Sequence, residues 1–157
     1  MNDDNEAGGS IDPRFPHVLI PDGKYVCKYL RYETRSGSVI VKPKLWLLFM
    51  IIQPGDRFGT PLYRYYNLQT AKPPFGPGGD FTLSPKGQFY RDYCKFFGPP
   101  KRSDRLAVGK NFKKYDWTCS VRTVSRDFFD NEIPPDARYS VIDDLLPYRR
   151  SGDDLDE

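Results

Sequence analysis

The feature that most limits what this chain can become is residues 45–52, LWLLFMII, a run of consecutive apolar residues that includes Trp46, Phe49 and two β-branched isoleucines. It is far shorter than the ~20 apolar residues a membrane-spanning helix needs. Pro54, Gly55, Asp56 and Gly59 follow, and then PLYRYYN, with Tyr63, Arg64, Tyr65 and Tyr66. Two apolar and aromatic runs separated by turn residues predict a β-hairpin with a wide loop. Period alone does not separate a short apolar strand from a buried helix. The turn residues, the length of the run and its Trp-Phe-Ile content favour strand. With no polar face, that strand must be covered on both sides, at the centre of a closed or doubly covered sheet.

The other elements follow from period and punctuation. Residues 1–16, MNDDNEAGGSIDPRFP, read as a flexible acidic lead. After the Asp22-Gly23 turn, residues 24–33 read as a strand, with Tyr25, Cys27, Tyr29 and Arg31 on one face and Val26, Lys28, Leu30 and Tyr32 on the other. Residues 35–38 form a loop, and 39–41 a short strand before Pro43. Residues 71–80, AKPPFGPGGD, predict a long irregular loop. Residues 84–98 predict a helix that Ser84 caps, Pro85 opens and Gly98 closes. Its Phe89, Tyr90, Tyr93, Cys94 and Phe97 fall on one face, which a lone helix must bury. Residues 106–110 lead into a strand over 111–124, with Trp117, Cys119, Val121 and Thr123 on one face. A loop over 125–137, a short strand over 139–142 and a helical turn over 143–146 complete the body.

The order is three strands, one helix, two strands. We therefore expect a mainly β fold, an OB-like β-barrel with its α-helix between strands 3 and 4 and disordered termini. The expected organisation is a lead (1–16), one barrel domain (17–150) and an acidic tail (151–157). The rival arrangement is an α+β sheet with the helix on one face.

Charge is divided unevenly. The net charge is +3, but residues 1–14 carry −3 and residues 151–157, SGDDLDE, carry −4, leaving +10 on residues 15–150. A basic body between acidic ends suits a polyanionic partner. The chain has 11 Tyr, 11 Phe and 2 Trp, and many of the tyrosines sit beside Lys or Arg. Single-stranded nucleic acid is held by that pairing: bases stack on rings, at about 1–3 kcal/mol each, while cations follow the backbone. The candidate contacts are Lys28, Arg31 and Tyr32; Lys44 and Trp46; Arg57 and Phe58; Tyr63, Arg64 and Tyr65; Lys113 and Tyr115; Arg122; and Arg126. Alternating Tyr and Lys is also ordinary strand chemistry.

Catalysis has little to stand on. His17 is the only histidine and falls beside the flexible lead, so no Ser-His or Cys-His pair is expected. No phosphate-binding glycine loop occurs. Asp127, Asp130 and Glu132 are the one acidic cluster that could hold a nuclease metal, and exposed loop acids are its plainer explanation. Cys27, Cys94 and Cys119 are too far apart for a zinc site and read as reduced core residues. No cofactor or metal is expected. The polar N-terminus is unlike a signal peptide, so the expected location is cytoplasmic.

In layout the chain resembles the OB-fold single-stranded DNA-binding proteins of bacteriophages and mobile elements. The resemblance rests on the Gly23-Lys24-Tyr25 opening, the apolar strand, the helix over 84–97, Leu106-Ala107-Val108-Gly109-Lys110 before a strand, and the acidic tail. It implies protection of single strands in replication or recombination, without turnover; RNA is the alternative ligand. The charge pattern itself lets the tail residues Asp153, Asp154, Leu155, Asp156 and Glu157 compete for a basic cleft and, once displaced by nucleic acid, recruit replication or recombination proteins. Such tails often end in an aromatic residue, whereas this one ends Asp156-Glu157. The alternative function is a protein-interaction barrel, an inhibitor or accessory subunit of a mobile element, since Tyr, Trp and Arg also anchor protein interfaces. On the first reading Tyr65→Ala and Trp46→Ala weaken binding without unfolding.

Overall fold

A computed structural model describes residues 17–37, 42–100, 106–127 and 129–152. The expected lead, the expected strand at 39–41, the link at 101–105, Phe128 and the tail residues 153–157 lie outside them. The chain forms β1 (Gly23–Arg35), β2 (Lys44–Ile51), β3 (Pro61–Asn67), β4 (Thr70–Ala71), β5 (Gly76–Pro77), β6 (Phe81–Thr82), α1 (Gln88–Phe97), α2 (Val108–Phe112), β7 (Tyr115–Val124) and β8 (Tyr139–Arg150). A short 3-10 turn, Pro135–Ala137, precedes β8.

Five long strands and β5 make one antiparallel sheet, ordered β3-β2-β1-β7-β8, with β5 pairing β1; β4 and β6 form a separate ribbon. The fold is thus mainly β with a single helix of more than five residues among the described residues, placed between the third and fourth long strands as expected. The sheet does not close into a barrel, because β3 and β8 share no ladder. A side chain stitches them: the Arg64 guanidinium on β3 donates to the Ile142 carbonyl of β8 at 3.3 Å and to the Asp143 carbonyl.

The expectation for β2 holds. Leu45 through Phe49 are all buried, and its alternate residues enter two separate clusters. Leu45, Leu47, Phe49 and Ile51 join the main core with Cys27, Trp117, Ile142 and Leu145. Each such fully buried large side chain contributes about 1.5–3 kcal/mol. Trp46 and Leu48 face the other way, into a small cluster with Tyr63. α1 closes the core with Phe89 and Tyr93.

Four expectations need correcting. β1 runs to Arg35 and has a bulge between Tyr29 and Arg31, so two residues there face one partner. Arg31 therefore joins Leu30 on the outer side, and Tyr32 joins Tyr29 and Cys27 on the core side, the reverse of simple alternation for these two residues. β8 is one long strand rather than a short strand and a helical turn. The irregularity opposite Ser120/Val121 places Ile142 and Leu145, three apart, in the same core, which mimics helical spacing. α1 starts at Gln88, not Ser84: Ser84 instead holds a turn, its hydroxyl accepting from the Lys86 N–H at 3.1 Å and its carbonyl from the Gly87 N–H at 2.8 Å. Residues 108–112 are helical, so β7 begins at Tyr115.

The 71–80 segment is not a free loop. β5 pairs Glu33 and Thr34, the Gly78 N–H donates to the Tyr32 carbonyl at 3.2 Å, and the Tyr32 hydroxyl donates to the Gly79 carbonyl at 3.2 Å. A Cβ on Gly79 would stand 2.1 Å from Thr34 Oγ1, so only glycine lets the excursion lie this close to β1.

Candidate nucleic-acid interface

Register decides which side chains share the outer side of β1, β2 and β3. Trp46 pairs Glu33 and Tyr65; Leu48 pairs Arg31 and Tyr63; Met50 pairs Lys28 and Pro61. Successive strand residues alternate, so these residues, with Arg35 and Lys44 at the rim, form one face. Six of the residues nominated from sequence meet there: Lys28, Arg31, Lys44, Trp46, Tyr63 and Tyr65.

The face has an aromatic floor. Trp46 meets Tyr63 and Tyr65 edge-on, with ring centroids at 5.1 and 4.9 Å, and Tyr63 and Tyr65 lie nearly parallel at 5.9 Å. Trp46 and Tyr63 are only 5% and 3% exposed, so neither offers a base a free ring without movement. Tyr65 is half-buried. Burial, together with neighbouring Tyr139 and Tyr63, keeps its hydroxyl neutral well above the usual tyrosine range, although Arg35 opposes this.

Cations rim the floor. The Arg35 guanidinium lies 4.1 Å from the Trp46 ring centroid. Between the arginines, Glu33 is 1% exposed and clamped by Arg31 at 2.5 Å and Arg35 at 2.9 Å. This pairing holds both guanidinium groups against the sheet and offsets one positive charge. Lys28 is exposed. Lys44 reaches the Asn67 amide oxygen, and burial lowers its pKa below the ordinary lysine value.

His17 covers the floor from the other side, an arrangement the sequence did not suggest. Its ring sits 4.6 Å from Tyr139, 5.9 Å from Tyr63, 6.1 Å from Trp46 and 6.2 Å from Tyr65. Its Nε2 and the Tyr65 hydroxyl are hydrogen-bonded at 2.9 Å. The residues behind it are tied to β8: the Ser140 N–H donates to the Val18 carbonyl at 2.7 Å, and the Ile20 N–H to Ser140 Oγ at 2.9 Å.

The other nominated residues stand elsewhere. Tyr32 lies on the core side against Phe81, and Tyr115 packs on Phe97 and Trp117. Arg64 is a structural cation, paired with Asp92 at 3.3 Å and bonded to β8. Arg57 and Phe58 are exposed at the hairpin tip. Lys113 is exposed after α2, and Arg122 pairs Asp143 at 2.8 Å on the surface of β7. Arg126 donates to the Asp130 carbonyl at 3.1 Å within the β7–β8 connection. The five tail residues lie outside the described ones.

The acids considered for a metal do not converge. Asp127 accepts the Phe129 and Asn131 N–H groups at 2.9 Å, Asp130 faces Arg126 at 3.9 Å, and Glu132 pairs Arg138 at 3.3 Å. Among the described residues no group of three or more His, Cys, Asp or Glu is placed to hold a metal ion. Nor is any described helix long and apolar enough to cross a membrane. Two residues with parts in this face could have been found from sequence. Arg35 keeps the two-residue spacing of Arg31 and Glu33, which marks the three as sharing a face though not which face, and Tyr139 opens the last strand.

Comparison with protein-family models, with curated proteins and with solved structures finds no match to this chain.

Proposed function

We propose that the protein is a non-catalytic binder of single-stranded nucleic acid, DNA first and RNA as the alternative, and that the outer face of β1, β2 and β3 receives the strand. One observation carries the reading: Lys28, Arg31, Lys44, Trp46, Tyr63 and Tyr65, scattered over 38 residues, share a single sheet face with Arg35 beside them. Rings in the middle and cations at the rim are what a strand requires, bases inward and phosphates along the edge. The fold proposed with this function is an OB-type barrel left unsealed. What supports it is the pairing, in which β1 joins β2 and β7, while Arg64 brings the outer strands β3 and β8 together. In such a barrel the flanking loops would be the β1–β2 and β7–β8 connections. A role in replication or recombination, and recruitment of partners by the tail, belong to the same proposal.

The test is fluorescence polarisation of a labelled thirty-base strand titrated with the full chain at two salt concentrations. Binding that weakens steeply with salt is expected, because each neutralised phosphate releases counterion. No binding at low salt overturns the reading and leaves a protein-binding face as the alternative use of these rings.

A further inference from the structure

The ring that fills the outer face is itself informative. His17 presents a flat heteroaromatic ring, tilted 32° against Tyr139 at 4.6 Å, with a ring nitrogen hydrogen-bonded to the Tyr65 hydroxyl. Trp46 and Tyr63 complete the wall at 6.1 and 5.9 Å. A nucleobase has the same properties: a flat π-face and an edge of nitrogen and oxygen atoms. The chain is fastened to Ser140 from residue 18 onward, so the ring stands just ahead of this anchor, and displacing it need not break the Val18 and Ile20 hydrogen bonds.

We infer that Trp46, Tyr63, Tyr65 and Tyr139 form a binding site for one unstacked nucleobase, which His17 occupies in the unliganded protein. This rests on the proposed function and names the subsite within it. An aromatic cage could in principle attract a cation, such as a quaternary ammonium group. Here the cation position on Trp46 is already taken by Arg35 at 4.1 Å, and Arg31 lies beside it. Those charges repel a cationic guest and favour one that brings a phosphate with it. A pyrimidine exceeds an imidazole by one ring atom and its exocyclic groups, a purine by a whole second ring, so a pyrimidine is the closer replacement.

The experiment uses the full chain with labelled thirty-base oligothymidylate and an abasic strand of equal length. His17→Ala is expected to bind oligothymidylate about five- to tenfold tighter, the share of one base stack no longer spent on displacing the ring. Its affinity for the abasic strand should be unchanged. His17→Phe, which refills the cage, should return oligothymidylate affinity to the native level or below. The native protein supplies a second readout free of any folding defect. His17 is the only histidine, so its imidazole NMR signals are unambiguous, and saturation with strand should move them to those of a solvent-exposed ring. Native binding with unmoved His17 signals and no gain in His17→Ala would overturn the cage while leaving the proposed function intact. Absence of strand binding by the native chain would overturn both.

Discussion

At the scale of single residues, Glu33 and His17 give the outer face its character. Glu33 is a fully buried carboxylate between Arg31 and Arg35, each roughly a third exposed. Removing one partner of a fully buried pair costs about 3–5 kcal/mol. Here the stranded arginines can rehydrate, so Glu33→Gln should lower unfolding free energy by a smaller amount, about 1–3 kcal/mol in urea titration. The same change removes the one negative charge set between these cations, so the folded variant should bind a strand more tightly and with a steeper salt slope. His17 adds a pH dependence. Burial lowers its pKa below the ordinary 6.5, so the folded protein favours the neutral ring. The unfolded chain then binds the proton first, and the stability this ring contributes is present above about pH 6.5 and lost as pH falls through the folded value. NMR titration of this lone histidine should give a midpoint below 6.5. The acid-side loss attributable to this ring should disappear in His17→Phe. Trp46→Ala is a poor probe of binding, because a buried tryptophan costs about 3–5 kcal/mol to remove.

At the scale of elements, two junctions hold the sheet in shape. Arg64 joins β3 to β8 and also pairs Asp92 on α1, with its guanidinium 4.8 Å from the Tyr66 ring. Arg64→Met should destabilise the fold by about 2–4 kcal/mol, since two β8 carbonyls and a carboxylate lose a charged donor together. Hydrogen exchange should show the loss first around Ile142. The second junction is the close approach of Gly79 to Thr34. Gly79→Ala should cost about 1–3 kcal/mol by overpacking. Gly79→Ala/Thr34→Ala should recover part of that, because Thr34 Oγ1 is the atom the new Cβ would strike; a double-mutant cycle in urea measures the coupling. These elements also mark what sequence could reveal. The both-faces-buried β2, the β2–β3 hairpin, α1 with its Gly98 stop and the inward face of β7 were legible, because each keeps a clean period or a clear stop signal. The outer side of β1 was only half legible: the bulge at Leu30 exchanges the faces of Arg31 and Tyr32, and alternation carries no sign of it. The continuity of β8 was hidden in the same way. The roles of Arg64 and His17 depend on contacts 78 and 48 residues apart in sequence, which no local pattern records.

At the scale of the whole molecule, the basic body and the aromatic face are one claim. Residues 15–150 carry +10, yet several arginines sit on carboxylates, among them Arg64, Arg122, Arg138 and Arg149. The exposed lysines therefore matter most for a phosphate backbone. Lys28 lies on the outer face, whereas Lys113 follows α2 and belongs to none of the β1, β2 and β3 ladders. The most direct measurement compares strand affinity of Lys28→Glu and Lys113→Glu with that of the native chain, by polarisation at low salt. Both changes are at exposed sites and alter net charge equally, so long-range attraction falls by the same amount in each. The account predicts that Lys28→Glu weakens binding at least tenfold while Lys113→Glu weakens it no more than about threefold. Equal losses in the two variants, or a larger loss in Lys113→Glu, would contradict the outer face of β1, β2 and β3 as the place where the strand lies.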